Sequence, residues 1–159
     1  MILREIIPND KQIKQINNTI EVCRLVYNEM LTRRRETHLN LKDTMHLLTE
    51  LKSQPQYSRW NEVDSRALQA AVRELDRHYQ LFFQHVSTYP QYLREKYQYV
   101  TYNNGKNIYI KGDTIHLPKI GFVKIELHRD EAIDDITMVV VNRHKVGGLY
   151  SVYINQRKN

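Results

Sequence analysis

The sequence contains few of the residues that mark secreted, zinc-binding or membrane-spanning proteins. Among its 159 residues there is one cysteine, Cys23. No disulfide can therefore form within the chain, and no cysteine-rich zinc site can be built from it. No apolar run approaches the length of a membrane span, and the N-terminal segment lacks the apolar core of a signal peptide. We therefore expect a protein of the reducing cytoplasm with no membrane partner.

Familiar catalytic and cofactor motifs are also missing. The sequence shows no P-loop, no dinucleotide-binding glycine motif and no nucleophile elbow. Its seven histidines are scattered, without the spacing of metal ligands. One acidic cluster could bind a metal ion, but acidic residues between two predicted strands are usually only solvated. Its members are Asp130, Glu131, Asp134 and Asp135. We expect no catalytic residue, no metal and no cofactor.

Basic charge and tyrosine are abundant instead. The formal net charge is +6, which favours polyanionic partners, and eleven tyrosines offer stacking area with a polar tip. An apolar content of 41% and a charged content of 26% are typical of a folded chain. The length fits one domain or two small ones.

A stretch from Asn61 to Val86 shows the clearest helical pattern in the sequence. One side of the predicted helix is apolar and comprises Leu68, Ala71, Val72, Leu75, Tyr79, Phe82 and Val86. The opposite side comprises Arg66, Gln69, Arg73, Arg77 and Gln80, and no carboxylate belongs to this face. Two interpretations stay open: an ordinary solvated face, or a surface for a nucleic-acid groove, where Arg binds phosphate or guanine and Gln can read adenine.

The first half of the chain predicts one strand followed by helices. Residues 1–7 form a β-branched run that Pro8 ends, and Asn9 with Gln12 fits a capping box for a helix from about Asp10 to Arg35. The apolar face of this helix contains Cys23, which we expect to be a core residue rather than a reactive thiol. Its last turn is cationic, with Arg33, Arg34 and Arg35. That cluster can complement the helix dipole or contact phosphate, and the pattern leaves both open.

A second helix begins at Asn40 or Asp43 and ends at Ser53, before Pro55. The following loop contains Trp60, which we expect to cover the helical core rather than stack on a base.

After Gln91 the apolar period changes to two, which predicts short strands. Asn104-Gly105, Gly112-Asp113 and Gly147-Gly148 supply hairpin-turn chemistry, and Pro118 with Gly121 marks another reversal. A lone first strand needs a sheet to pair with. We therefore predict an α+β fold: a small antiparallel β-barrel, wedge-like or OB-like, with a helical bundle inserted after the first strand. The expected domains are residues 1–8, the inserted bundle at 9–90, and the rest of the barrel at 91–159.

Several motifs in collinear order resemble one protein family. They are CRLVYNEMLTRRRE, LLTELKSQ and WNEVDSRALQAAVRELDRHYQLFF, then TYNNGKNIYIKGDTIHLPKIGFVKIELHR, ITMVVVNRH and GLYSVYI. Nearly the whole chain is similar in this way to the N-terminal half of the TnpB (OrfB) family. These transposon-encoded proteins are RNA-guided DNA endonucleases, and their helical part is often labelled a helix-turn-helix domain.

The resemblance implies a wedge-type barrel with an inserted recognition bundle, which together hold guide RNA and its heteroduplex and read a short DNA motif. It places Ser65, Gln69, Tyr102 and Asn103 at DNA-contacting positions. The arginines at 33–35, 66, 73 and 77 would then contact the nucleic-acid backbone. The expected partners are DNA and, in the full-length context, guide RNA, with a homodimer possible. The expected location is the nucleoid of a prokaryotic cytoplasm.

The chain also departs from the family in three places. Leu41 stands where the family has a polar or aromatic DNA-contacting residue. Residues 89–96 carry less charge than the family's basic segment there. The chain stops about where the RuvC-type nuclease domain would begin, which predicts a non-catalytic nucleic-acid-binding portion, either a truncated gene product or an expressed fragment. Two alternatives are a protein-interaction or dimerisation remnant and a helix-turn-helix DNA-binding regulator.

Overall fold

The computed structural model describes residues 1–144 and 147–157. Within them helices combine with an antiparallel sheet, so the predicted α+β class is confirmed. The helices are α1 (Asp10–Glu36), α2 (Leu41–Lys52), a 3₁₀ helix (Pro55–Glu62) and α3 (Ser65–Phe83). The strands are β1 (Ile2–Ile7), β2 (Tyr99–Asn103), β3 (Tyr109–Lys111), β4 (Thr114–Leu117), β5 (Gly121–Ile125), β6 (Ile136–Arg143) and β7 (Tyr150–Gln156). None of the described helices has the length and apolarity needed to cross a membrane.

The strands form one sheet in the order β2-β6-β7-β1-β5-β4-β3. β1 lies inside the sheet, where it pairs antiparallel with β7 on one side and with β5 on the other. All the helices fall between β1 and β2 in the chain. The prediction of a helical insertion after the first strand is therefore confirmed.

The predicted closed barrel is wrong, because β2 and β3 form the two edges of an open sheet in the described part of the chain. The Asn104 amide Nδ2 donates to the carbonyl oxygen of Ile136, 2.6 Å away, and to that of Ile108, 2.9 Å away. The Asn104 side chain therefore satisfies the carbonyl of Ile136 in β6 and that of Ile108 just before β3.

The turns follow their predictions with one exception. Gly112 has a φ of 62° between the paired strands β3 and β4, as a tight hairpin requires. Gly147 and Gly148 also have positive φ between β6 and β7. The Asn104-Gly105 hairpin is wrong, because the strands on either side of it pair elsewhere and Lys106 is the residue with positive φ, at 80°.

The chain divides into two compact units, Met1–Ile20 with Gln98–Asn159, and Glu21–Tyr97. We call them the sheet unit and the helical unit. The division falls inside α1, whose first turns belong to the sheet unit. There Asn17 accepts hydrogen bonds from the Tyr150 hydroxyl at 2.8 Å and from Arg143 at 3.1 Å. The sheet core is aliphatic and includes Val100, Ile115, Leu117, Val123, Val139, Val141, Val152 and Ile154.

The caps of α1 and α2 explain where these helices begin. Asn9 Oδ1 accepts from the Gln12 amide at 2.8 Å, and Gln12 Oε1 accepts from the Asn9 amide at 2.9 Å, which is the predicted capping box. Asn40 and Asp43 form the same box before α2. Asn40 is therefore the residue that caps α2, and the alternative start at Asp43 is its third helical position.

The core of the helical unit forms where the apolar faces of its helices meet. Leu31, Leu51, Leu68 and Leu75 are almost fully buried. Trp60 is 4% exposed and contacts Tyr57, so it covers the core as expected, although it does so from a 3₁₀ helix rather than from a loop. α3 is shorter than predicted, and Val86 lies beyond its end and is exposed.

Cys23 is buried and free, as the helical pattern predicts. Its Sγ lies 3.7 Å from the carbonyl oxygen of Ala67. Burial raises the pKa of the thiol far above its ordinary value, and the nearby carboxylates of Glu74 and Asp64 raise it further. Because the thiolate is the reactive form, the folded chain protects this residue from thiol reagents.

We expect an aromatic disulfide reagent to label Cys23 only as fast as the chain opens. Labelling followed by absorbance should be slow in buffer and complete within the mixing time in denaturant. Fast labelling of the folded chain would contradict the buried position of this thiol.

Candidate nucleic-acid interface

α3 is the helix that carries the candidate interface, and its sequence favours that structure. Ala67, Ala70 and Ala71 have the highest helix propensity and bring the helix close to its neighbours. The helix ends where His85 adopts a φ of 60°, the left-handed conformation that often terminates helices. The backbone amide of His85 donates a hydrogen bond to the carbonyl oxygen of Phe82, 3.0 Å away.

The polar residues of α3 face solvent, as predicted. We call Arg66, Gln69, Arg73, Arg77 and Gln80 the α3 stripe. Gln69 is half-buried and the other four are exposed. From the first to the last the stripe extends about 21 Å along the helix axis. It therefore presents three guanidinium groups and two amides along four helical turns.

Carboxylates flank the α3 stripe but are directed to other side chains. Asp76 Oδ1 lies 3.0 Å from Nη1 of Arg34, whose side chain is only 6% exposed. Glu74 Oε1 lies 3.9 Å from Nε2 of His78. The side chains of Arg66 and Arg73 form no ion pair and no hydrogen bond with any of the described residues. The positive charge of the stripe is thus available to an external anion.

The three consecutive arginines at the end of α1 point in different directions. Arg33 contacts Glu29 at 3.7 Å and the Tyr57 hydroxyl at 3.4 Å. Arg34 is committed to Asp76, and its Cζ lies 4.3 Å from the centre of the Tyr79 ring.

Arg35 is exposed. Its Cζ lies 5.7 Å from the ring centre of Tyr89 and 5.6 Å from that of Tyr92. The cluster therefore includes one arginine that stabilises the helical unit and one that faces solvent, with Arg33 between these extremes.

The four DNA-contacting positions given by the resemblance fall in different units. Ser65 is exposed at the first residue of α3, one turn before Gln69, so these two lie together on the helical unit. Asn103 is half-exposed at the end of β2 in the sheet unit. Tyr102 is fully buried in that unit, where its ring packs in the core and reaches no surface. The DNA contacts of these residues stay predictions.

One feature of the helical unit was missed from the sequence. A cavity of about 500 Å³ lies between the end of α1, the start of α2 and the end of α3. Its lining includes Leu41, Phe83 and Tyr89 together with Arg34 and Lys42. Tyr89 and Tyr92 follow α3 at helical spacing beside a proline, and that local enrichment in tyrosine was the signal available.

The acidic cluster of the sheet unit is largely solvated, with one exception. Glu131 forms an ion pair with Arg4 and accepts from the His128 amide at 3.1 Å, and its hydrogen bond with Arg4 is the main cause that lowers its pKa. Asp130, Asp134 and Asp135 are exposed. Among the described residues no group of three or more His, Cys, Asp or Glu side chains could hold a metal ion.

Comparison with known families identifies one related domain. The profile of the helix-turn-helix domain of the IS605 OrfB family matches residues 4–41. The match covers the last four residues of β1, all of α1 and the first residue of α2, and it supports an N-terminal region of the OrfB type. A helix-turn-helix domain suggests DNA binding. The comparison with curated proteins found no significant match.

His78, next to the α3 stripe, is a partly buried histidine from which we expect an acid-sensitive contribution to stability. Its Nδ1 lies 2.6 Å from the Tyr27 hydroxyl. Burial lowers its pKa, while Glu74 raises it and Arg77 lowers it. Because folding favours the neutral ring, this contribution to stability is complete above the ordinary histidine pKa of about 6.5 and is lost as the pH falls below it.

We therefore expect the Tm of the wild type to fall more steeply than that of His78→Gln between about pH 7 and about pH 5. Melting followed by circular dichroism measures this difference. The variant His38→Gln, which changes an exposed histidine, should follow the wild type. Parallel curves for wild type and His78→Gln would contradict the assignment.

Proposed function

We propose that this chain binds DNA and that the α3 stripe is the surface that meets the duplex. The observation that carries the proposal is the exposed row of Arg66, Arg73 and Arg77 on the same helix face as Gln69 and Gln80. The net charge of +6 and the match of residues 4–41 to a helix-turn-helix domain of the OrfB type support DNA binding by the chain, and the choice of α3 as the surface rests on its own exposed residues.

An α-helix fits the major groove of B-DNA, and the residue types of the stripe suit both parts of that surface. Guanidinium groups along the edge of a helix can pair with phosphates and position the protein without reading sequence. A glutamine can form two hydrogen bonds with adenine. We therefore assign positioning to Arg66, Arg73 and Arg77 and sequence preference to Gln69, with Ser65 beside it at the start of the helix.

We further propose the narrower role that the resemblance implies. In a full-length protein these residues would form a non-catalytic part. This part would read a short DNA motif next to the transposable element and would hold guide RNA with its heteroduplex. Asn103 would join the DNA contacts from the sheet unit. Arg33 and Arg35 would add backbone contacts, whereas Arg34 is held by Asp76 and serves the fold. The collinear motifs from CRLVYNEMLTRRRE to GLYSVYI support this role.

Two substitutions in α3 should separate positioning from sequence reading. Arg73→Ala should weaken binding to all duplexes alike and reduce the slope of log K against log salt by about 0.9, because one phosphate contact is lost. Gln69→Ala should instead reduce the preference for cognate over scrambled DNA, by about 1–3 kcal/mol if it forms a bidentate contact. Fluorescence anisotropy at several salt concentrations measures both effects. The cognate duplex is the best binder selected from a random library.

Arg129→Ala provides a matched control. It removes the same charge from a residue of the sheet unit whose side chain is 96% exposed. We expect affinity and salt slope close to the wild type. Equal effects of Arg73→Ala and Arg129→Ala would contradict the role of α3. A stable dimer with no affinity for nucleic acid would instead favour the protein-interaction alternative.

We also propose that these 159 residues do not cleave DNA by themselves. The one acidic cluster has Glu131 engaged with Arg4 in the sheet unit, and its remaining carboxylates are solvated. Incubation of the purified chain with supercoiled plasmid and Mg²⁺ should leave the plasmid intact on a gel. Nicking that persists through further purification and is abolished by a substitution in the chain would overturn this proposal.

A further inference from the structure

Three rings stand side by side on the outer face of β3, β4 and β5. We call Tyr109, His116 and Phe122 the aromatic row. The strand register places Tyr109 opposite His116 and His116 opposite Phe122. The ring centres of Tyr109 and His116 are 5.1 Å apart with their planes at 16°, and those of His116 and Phe122 are 4.9 Å apart. Tyr109 and His116 are therefore stacked, whereas the Phe122 ring is inclined at 61° to His116 and at 77° to Tyr109, so the three rings form one aromatic cluster with differently oriented faces.

The aromatic row faces solvent because its strands alternate. Ile115 and Val123, the neighbours of His116 and Phe122 along their strands, are fully buried. Tyr109 and Phe122 are 42% and 45% exposed. Pairing between residues on neighbouring strands can stabilise a sheet without large aromatic side chains exposed to water. The exposed area of these rings therefore suggests a binding surface.

A hydrogen bond fixes the central ring before any ligand arrives. His116 Nδ1 lies 2.6 Å from the carbonyl oxygen of Asn107. A carbonyl oxygen only accepts, so Nδ1 carries the hydrogen and donates it. The central ring, against which Tyr109 and Phe122 pack, is thus held in place, which lowers the entropy cost of stacking a ligand on its neighbours.

Basic side chains occupy the adjacent row of the same face. Lys111, Thr114 and Lys124 are opposite one another in the register, two residues along each strand from the rings, or about 6.6 Å. The ammonium of Lys111 lies 5.7 Å from the ring centre of Phe122. Both lysines are exposed. Rings and cations thus run in parallel at a spacing similar to that between a nucleobase and its phosphate.

We propose that this face binds unpaired nucleotides of a single-stranded nucleic acid, with bases stacked on Tyr109 and Phe122 and phosphates beside Lys111 and Lys124. This surface is a second site, in addition to the α3 stripe, and its ligand class rests on the proposed nucleic-acid binding. Stacking suits any base that is free of its partner strand, whereas the bases of a duplex are stacked on one another.

The charges favour a nucleic acid over an apolar protein partner. Covering the aromatic row with an apolar surface would also bring Lys111 and Lys124 out of water without an anion to pair with. A phosphate backbone supplies that anion at each nucleotide. The chemistry is shared by RNA and DNA, so the experiment uses both.

The test measures anisotropy of labelled single strands of about 12 nucleotides, as RNA and as DNA, and of a DNA duplex. Phe122→Ala and Tyr109→Leu should each weaken single-strand binding on the order of tenfold and leave duplex binding unchanged. Tyr109→Phe, which keeps the ring, should bind as the wild type does. Lys124→Gln should lower the salt slope for single strands by about 0.7. Tyr153→Ala, an exposed tyrosine of β7, is the matched control.

Each outcome decides the inference separately from the DNA-binding proposal. Single-strand affinity unchanged in Phe122→Ala and Tyr109→Leu, with both variants folded by circular dichroism, would overturn the aromatic site even if Arg73→Ala still weakens duplex binding. An equal loss in Tyr153→Ala or Tyr109→Phe would also overturn it. Loss for RNA alone or DNA alone would support the site and identify its ligand. Should Phe122→Ala fail to fold, Tyr109→Leu with Tyr109→Phe decides the question.

Discussion

The six residues of β1 form hydrogen bonds with strands that follow more than a hundred residues later, and the order of the sheet depends on that pairing. Ile6 is opposite Ile125 of β5 on one side and Tyr150 of β7 on the other. Without β1 the pairs β6–β7 and β4–β5 would have no common neighbour. The helices form an insertion between β1 and β2. Both ends of this insertion are fixed by strands of the sheet rather than by the helices themselves.

α3 has to satisfy two demands with one helix. Its small residues and Leu68, Leu75 and Tyr79 are buried within the helical unit, and its long polar residues extend into water. The carboxylates at the border of these two faces have their own partners, such as Arg34 for Asp76. This arrangement concentrates positive charge on the solvent side. A helix that needed those acids to balance its own arginines would attract polyanions far less.

The spacing of apolar residues predicted the helices and strands well, because an element that is buried on one side carries apolar residues at a regular period. The strands and the burial of Cys23 follow from that period, and the start of α1 follows from its capping box. The open state of the sheet does not follow from the period, since closure depends on whether the edge strands β2 and β3 reach each other. The candidate site divides in the same way. The exposure of the α3 stripe could be predicted, whereas the partner of Arg34 and the alignment of Tyr109 with Phe122 depend on contacts between elements that no local pattern records.

The place of β1 in the sheet also sets an order of events during protein synthesis. At about 5–20 residues per second, β1 exists for roughly 7 to 30 s before both of its neighbours have been made. During that time its edges are open to other chains. The run Ile2-Leu3 and Ile6-Ile7 is interrupted by Arg4 and Glu5. Such charges within a short apolar strand act as gatekeepers, because they oppose self-association until the correct neighbours arrive.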